Sequence, residues 1–591
     1  MRAMLANWVP IALGLLLAAD TSAQSLVLDI NPGSTTSNPQ LLTAVGDRLF
    51  FGANNGVNGV ELWKSDGTSG GTAMVLDINP GAAAASLLHF IAVGDTLFFR
   101  ANDGVNGIEL WKSDGTPAGT VMVTDINPGS ASSTPLNLVA VGSTVFFRAD
   151  DGTSGSELWK SDGTAAGTVM VRDINPGSST SNPQLLTAVG GTLFFGANDG
   201  SSGVEVWKSD GTTAGTVMVR DINPGAAAAS LLDFTPMGST LFFRANDGVN
   251  GIELWKSDGT NAGTVMVADL NPGPASSTPG SMAVLGNTLF FSATDGVNGI
   301  ELWKSDGTGA GTVMVRDINP GASNSSPQST IAMAPYAFFT ADDGTNAREL
   351  WISDGTTAGT TMVHDINPGS GSSLPTGAGR LVSSAHNIRI LMAGNDGVSG
   401  SELWVSDGTS AGTVRVGDLN PGSTGSTPAL FTRVGGRVFF TASDAAAGLE
   451  LWSVPLGAFG GALAEPFGSG CPGTGGLVPA LSGVGLPVTG NTSFAVQVDR
   501  ARPDSTAVLF LGFARSSIPV GGGCTLYVVP SVSLFSPTTM MGVATFGLAI
   551  PPSSSLVGVE AFLQCVVFDP AGSYQGLLSA SGGLQVVIGN G

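Results

Sequence analysis

Nine copies of Glu-(Leu or Val)-Trp recur along this chain, with tryptophans at Trp63, Trp111, Trp159, Trp207, Trp255, Trp303, Trp351, Trp404 and Trp452. The first seven stand 48 residues apart, the next step is 53, and the last returns to 48. A period of that length marks one supersecondary unit copied in tandem, so the fold comes from stacking copies rather than from a single irregular core.

Each copy contains four apolar runs of four to seven residues, rich in Val, Ile, Phe and Trp and bounded by Asn-Pro-Gly, Val-Gly, Asp-Gly or Ser-Asp-Gly. Runs so short and so punctuated read as strands, and several are apolar on both faces, as a small sheet sandwiched between two neighbours requires. Four strands in about 48 residues is the signature of a propeller blade. The expected fold is therefore all-β, a multi-bladed β-propeller of nine four-stranded repeats over residues 24–456, followed by a smaller β-sandwich. Nine exceeds the usual range of about four to eight blades, which leaves an open superhelix or two smaller rings as alternatives. The stretch from Asn38 to Gly46 returns at Asn182 to Gly190, an offset of 144 residues or three repeats, and nine is three such blocks. Ser25 to Gly33 is a lone copy of the strand carrying Asp-Ile-Asn-Pro-Gly, and the array stops after Glu450-Leu451-Trp452 without one. Either every blade begins with that strand, or the N-terminal copy completes the last blade and latches the ring.

The formal charge is −22, and only two net negative charges lie beyond residue 456. An acidic field of that size repels nucleic acid phosphates and anionic lipid, so nucleic acid is not an expected partner. Residues 1–23 read as a secretory signal, with Arg2 ahead of the apolar stretch from Val9 to Ala19 and a cut after Ala23. The expected protein is secreted or held at the cell surface, without a membrane span once the signal is removed, and monomeric. A Gly-rich linker over 457–476 leads into turn-bounded strands over 477–591. The three cysteines, Cys471, Cys524 and Cys565, allow one intrachain disulfide and leave one thiol over.

The stretch Glu109-Leu110-Trp111-Lys112-Ser113-Asp114-Gly115-Thr116, followed by Ala118-Gly119-Thr120, resembles the repeat of the bacterial ELWxxDGT-repeat proteins. The match runs over roughly residues 25–455, and eight of the nine copies carry the Asp-Gly-Thr half. The resemblance implies an exported or surface-associated repeat protein and brings no catalytic residues with it.

The turn before the Trp strand, Asn102-Asp103-Gly104-Val105-Asn106-Gly107-Ile108-Glu109, places oxygen side chains at a density that could wrap Ca²⁺, with Asn102, Asp103, Asn106 and Glu109 as ligands. The competing reading is that Asp-Gly and Asn-Gly supply turn geometry and capping hydrogen bonds. The tryptophans are expected as packing elements between blades rather than as platforms for sugar rings. Asp125 and its equivalents are candidates for a carboxylate ring around a central channel. His89, His364 and His386 show no metal-ligand spacing, and no glutamate partners Tyr336 as a base for sialidase-type chemistry. Copies seven and eight diverge most, with Tyr336, Arg348, His364, Arg380, His386, Arg389 and Arg415, and are the expected place of a specialised edge. Because a residue repeated nine times is most simply a fold residue, the expected function is an exported, non-enzymatic scaffold binding a surface protein or glycan. The alternatives are a carbohydrate-active hydrolase or lyase and a calcium-stabilised envelope protein.

Overall fold

The computed structural model describes residues 24–373 and 390–456 without a break and most of 463–588. The signal segment over 1–23 lies outside the described residues. The repeat array forms nine antiparallel sheets, each of them one blade. Blade two has an inner strand Leu88–Val93, a second strand Thr96–Asn102, a third Ile108–Ser113 and an outer strand Val121–Thr124, paired in that order.

Nine interfaces between blades close the ring. The Phe-Phe pair of eight second strands, replaced by Leu391-Met392 in blade eight, explains why, since neighbouring side chains on a strand point to opposite faces. Phe98 packs with Leu110 and Val123 against Val145, Phe147 and Trp159 of blade three. Phe99 turns the other way and joins Trp111 against Phe50, Leu62 and Val75 of blade one. The pattern repeats around the array and ends where Val434, Phe439 and Leu451 of blade nine meet Leu49, Phe51 and Trp63 of blade one. Thr432 also donates its hydroxyl to the Leu42 carbonyl across that seam, at 3.2 Å. Of the two strand phases left open by the sequence, the latch is the one observed. Ser25–Leu28 pairs antiparallel with Gly448–Pro455 and becomes the outer strand of blade nine.

Polar ties reinforce these seams. Lys112 donates its ammonium to the Gly163 carbonyl of the next blade at 2.8 Å. Arg172, Arg220 and Arg316 lie over Trp207, Trp255 and Trp351 of the following blades at 5.7–5.9 Å from the ring centroids, a cation–π geometry. The Ser-Asp-Gly-Thr turn is held from within: Asp114 Oδ1 accepts from the backbone and hydroxyl of Thr116, and a Cβ on Gly119 would lie 2.1 Å from that carboxylate.

The C-terminal region folds on its own core, with Phe494, Val496, Leu509, Leu563 and Leu584 between a five-stranded and a three-stranded sheet. Cys471 and Cys524 form the disulfide, and Cys565 is a buried thiol whose pKa burial pushes up to about 12. Gly436 of blade nine donates its N–H to Gln585 of this domain at 3.1 Å. No helix among the described residues is long and apolar enough to cross a membrane.

Candidate functional site

The ring has two unlike faces. One carries the turns between inner and second strands together with the Ser-Asp-Gly-Thr turns. The other carries the Asn-Asp-Gly turns, the Asp-Ile-Asn-Pro-Gly corners and the starts of the inner strands, as shown by Asn102 donating its N–H to the Ala85 carbonyl at 2.7 Å.

The four oxygen residues read from the sequence as calcium ligands do not converge. Asp103 Oδ1 accepts from the N–H groups of Val105 and Asn106, and its Oδ2 from the Asn106 side chain. Asn102 Oδ1 accepts from Gly104 N–H at 2.7 Å. These three stabilise their own turn, whose backbone donors hold Asp103 below the usual carboxylate range even though burial opposes that shift. Glu109 is elsewhere, fully buried at 0 % exposure, where Oε1 accepts from Ser133 N–H and Oε2 from Ile126 N–H and the Ser133 hydroxyl. The expected metal set is corrected accordingly: Glu109 is an internal brace that pins the corner and the linker of its own blade to the third strand.

All nine Glu of the repeat are fully buried, and two of them lack a partner that the other seven have. Seven blades supply a serine to the carboxylate, whereas Ala85 and Ala229 stand at that position for Glu61 and Glu205. Glu61 Oε1 is buried with no hydrogen-bond partner. Burial raises the Glu61 pKa to about 8 and that of Glu205 to about 7, with the charges of Asp77 and Asp221 adding to each. Below pH 4.5 the carboxyl is protonated in folded and unfolded chains alike. Between that pH and about 8 only the unfolded chain ionises, so Glu61 costs the folded state more stability as pH rises. Replacing Ala85→Ser should restore the missing donor and stabilise the protein at pH 8 by about 1.5–3 kcal/mol, the worth of a hydrogen bond to a charged group. Guanidinium midpoints at pH 5 and pH 8 check this, and an A85S protein whose midpoint falls with pH as steeply as wild type would show the account to be wrong.

The tryptophans stand at 4–9 % exposure and present no face to a sugar ring. Asp125 follows an outer strand and accepts from Gly129 N–H, so its equivalents do not ring the axis. On the divergent edge, Arg348 donates to Ser326 O and to Thr340, Arg415 pairs with Asp396 and Asp418, and His364 bonds Ser410. Tyr336 stacks edge-on against Phe338. Arg380, His386 and Arg389 lie outside the described residues.

One position that differs from blade to blade was missed by sequence reasoning. The second residue of each described inner strand lies at a positive φ of 51–59°: Leu41, His89, Asn137, Leu185, Asp233, Ser281, Ser329 and Leu430. Each sits in a bulge, such as that between Leu88 and Ile91, which turns one side chain per blade out of the regular alternation. Left-handed backbone at non-Gly residues is costly and collects at functional positions. Opposite the first residue of the inner strand stands Arg100 in blade two, Arg148 in blade three and Arg244 in blade five.

No family model matches the chain, and no curated protein matches it. Solved structures align with it as β-propellers, at TM-scores below 0.5. Puromycin hydrolase aligns at a TM-score of 0.33 and 15 % identity over 63 % of this chain and 61 % of its own. A prolyl endopeptidase aligns at 0.36 and 10 % over 80 % and 55 %. The β-propeller domain of the Trilobed protease from Pyrococcus furiosus aligns at 0.29 and 10 % over 56 % and 97 %. This chain thus spans about 60 % of the length of the puromycin hydrolases it matches. The ring of antiparallel sheets defines the class, a propeller-like all-β protein, and the expectation of a non-enzymatic scaffold is corrected by the kind of structure that aligns with it. The matched structures are largely peptidases, so the fold gives no ground for a non-enzymatic role. At such TM-scores the likeness supports nothing further about activity.

Proposed function

We propose that this chain is an exported propeller of the ELWxxDGT-repeat type that takes a ligand on the face carrying the Asn-Asp-Gly turns, where the inner strands begin. The single observation that carries the reading is the left-handed position. Around the ring, the residues that pack blades are nearly the same from copy to copy, whereas this position holds Leu, His, Asn, Asp or Ser. A repeat array that keeps its framework and varies one residue per unit where the inner strands begin presents a composite surface, as solenoid and propeller binding faces do. A ligand that raises the melting temperature should slow amide hydrogen exchange at 86–90 and 134–138. Protection confined to the Ser-Asp-Gly-Thr turns of the opposite face would sink the proposal.

A further inference from the structure

Blade five supplies an internal comparison for blades two and three. Arg244 there is neutralised by Asp233, the left-handed residue of its own inner strand, with Nε 3.1 Å from Oδ2. In blade two the equivalent of Asp233 is His89, and in blade three it is Asn137. Arg100 and Arg148 consequently have no ion pair among the described residues, in a chain that carries 45 acids against 23 Lys and Arg. Both guanidinium groups are only partly exposed, and Arg100 Nε, like Arg244 Nε, is buried without a hydrogen bond, but only Arg244 has a carboxylate beside it. Arg148 spends one terminal nitrogen on Asn182 Oδ1 and keeps its other donors. His89 lies within the field of both arginines, which together with the larger effect of its own burial hold its pKa below the ordinary value. A histidine so placed is a neutral donor rather than a third cation.

A half-desolvated, unneutralised guanidinium and an imidazole of blade two lack an anion at the place where blade five puts a carboxylate. We propose that Arg100 and His89 form an oxyanion site that receives a carboxylate, phosphate or sulfate group of the ligand, as a deepening of the binding face proposed above. Guanidinium donors suit all three anions because their fork matches two oxygens at once. The acidic field of the whole chain opposes anions at long range, so the contribution is short-range and should survive physiological salt better than a surface attraction would.

The test is calorimetric titration of residues 24–591 with inorganic phosphate, sulfate and glucuronate, which separates the three sources, alongside hydrogen exchange with the best of them. Wild type should bind at least one saturably, and Arg100→Gln should weaken it at least tenfold. His89→Asp should do the same by giving Arg100 the partner that Arg244 has. That variant should fold, because aspartate already occupies this left-handed position in blade five; unchanged melting confirms it. Arg244→Gln, whose guanidinium is already paired, should bind as wild type does. Equal affinity in wild type and H89D, or no saturable binding of any of the three anions, overturns the oxyanion site. If another ligand still protects 86–90 and 134–138, the binding face stands without it; if none does, both fall.

Discussion

A chain that starts after Ile30 should no longer close its ring stably. The latch strand Ser25–Leu28 supplies the outer edge of blade nine, pairing Leu26 with Trp452 and Leu28 with Leu451. Val27 and Ile30 are buried at 4 % and 5 % exposure in the seam with blade one. Removing these two side chains alone forfeits about 3–6 kcal/mol of apolar burial. The cut also takes the Ile30 N–H from the buried Glu450 carboxylate and bares the edge of Gly448–Pro455 to pairing with other chains. The truncated protein should unfold at a clearly lower guanidinium midpoint and associate on size exclusion. A synthetic peptide of residues 24–33 added in trans should restore both. A truncated protein that stays monomeric with an unchanged midpoint would mean that the ring is closed by packing of inner strands alone.

That latch was only half legible in the sequence. The count of strand types required either a latch or blades that begin with the Asp-Ile-Asn-Pro-Gly strand, and choosing needed the pairing itself. The nine blades and their tryptophan seams were written in the period, because a large ring at a fixed place in every copy can be buried only against the next copy. Glu109 was misread because a glutamate is rarely fully buried and stood beside a turn rich in oxygens. Strand alternation puts Glu109 on the same face as Trp111, and a serine recurs 24 residues later in six copies. Those two signals together would have placed it inside. The left-handed positions had no signature, since Leu41, His89, Asn137, Asp233 and Ser281 share nothing but backbone conformation. Arg100 drew no reading from the sequence, because only Asp233 beside Arg244 shows what its counterpart looks like when paired.

Glu109→Ala should be among the most damaging single substitutions in the ring, and it also discriminates between brace and metal ligand. The change leaves Ile126 N–H, Ser133 N–H and the Ser133 hydroxyl facing a void where two carboxylate oxygens stood. Buried donors left without acceptors cost about 1–3 kcal/mol each, and the loss should total about 3–6 kcal/mol less whatever the linker recovers by relaxing toward water. Glu109→Gln should cost less, because one oxygen remains, but its amide must oppose one of the backbone donors. If Glu109 were one of four calcium ligands with Asn102, Asp103 and Asn106, most of the deficit would vanish in EDTA, because wild type would then lose the ion's contribution as well. The buried brace requires the deficit to be the same in EDTA as in calcium. It also requires Asp103→Ala, which removes a half-buried turn cap, to cost only about 1 kcal/mol, like other caps that satisfy backbone donors near the surface. Denaturation midpoints of E109A and D103A, each measured with chelator and with calcium, decide it: a chelator-sensitive deficit shared by both variants would restore the metal site, and a large insensitive deficit confined to Glu109 establishes the brace.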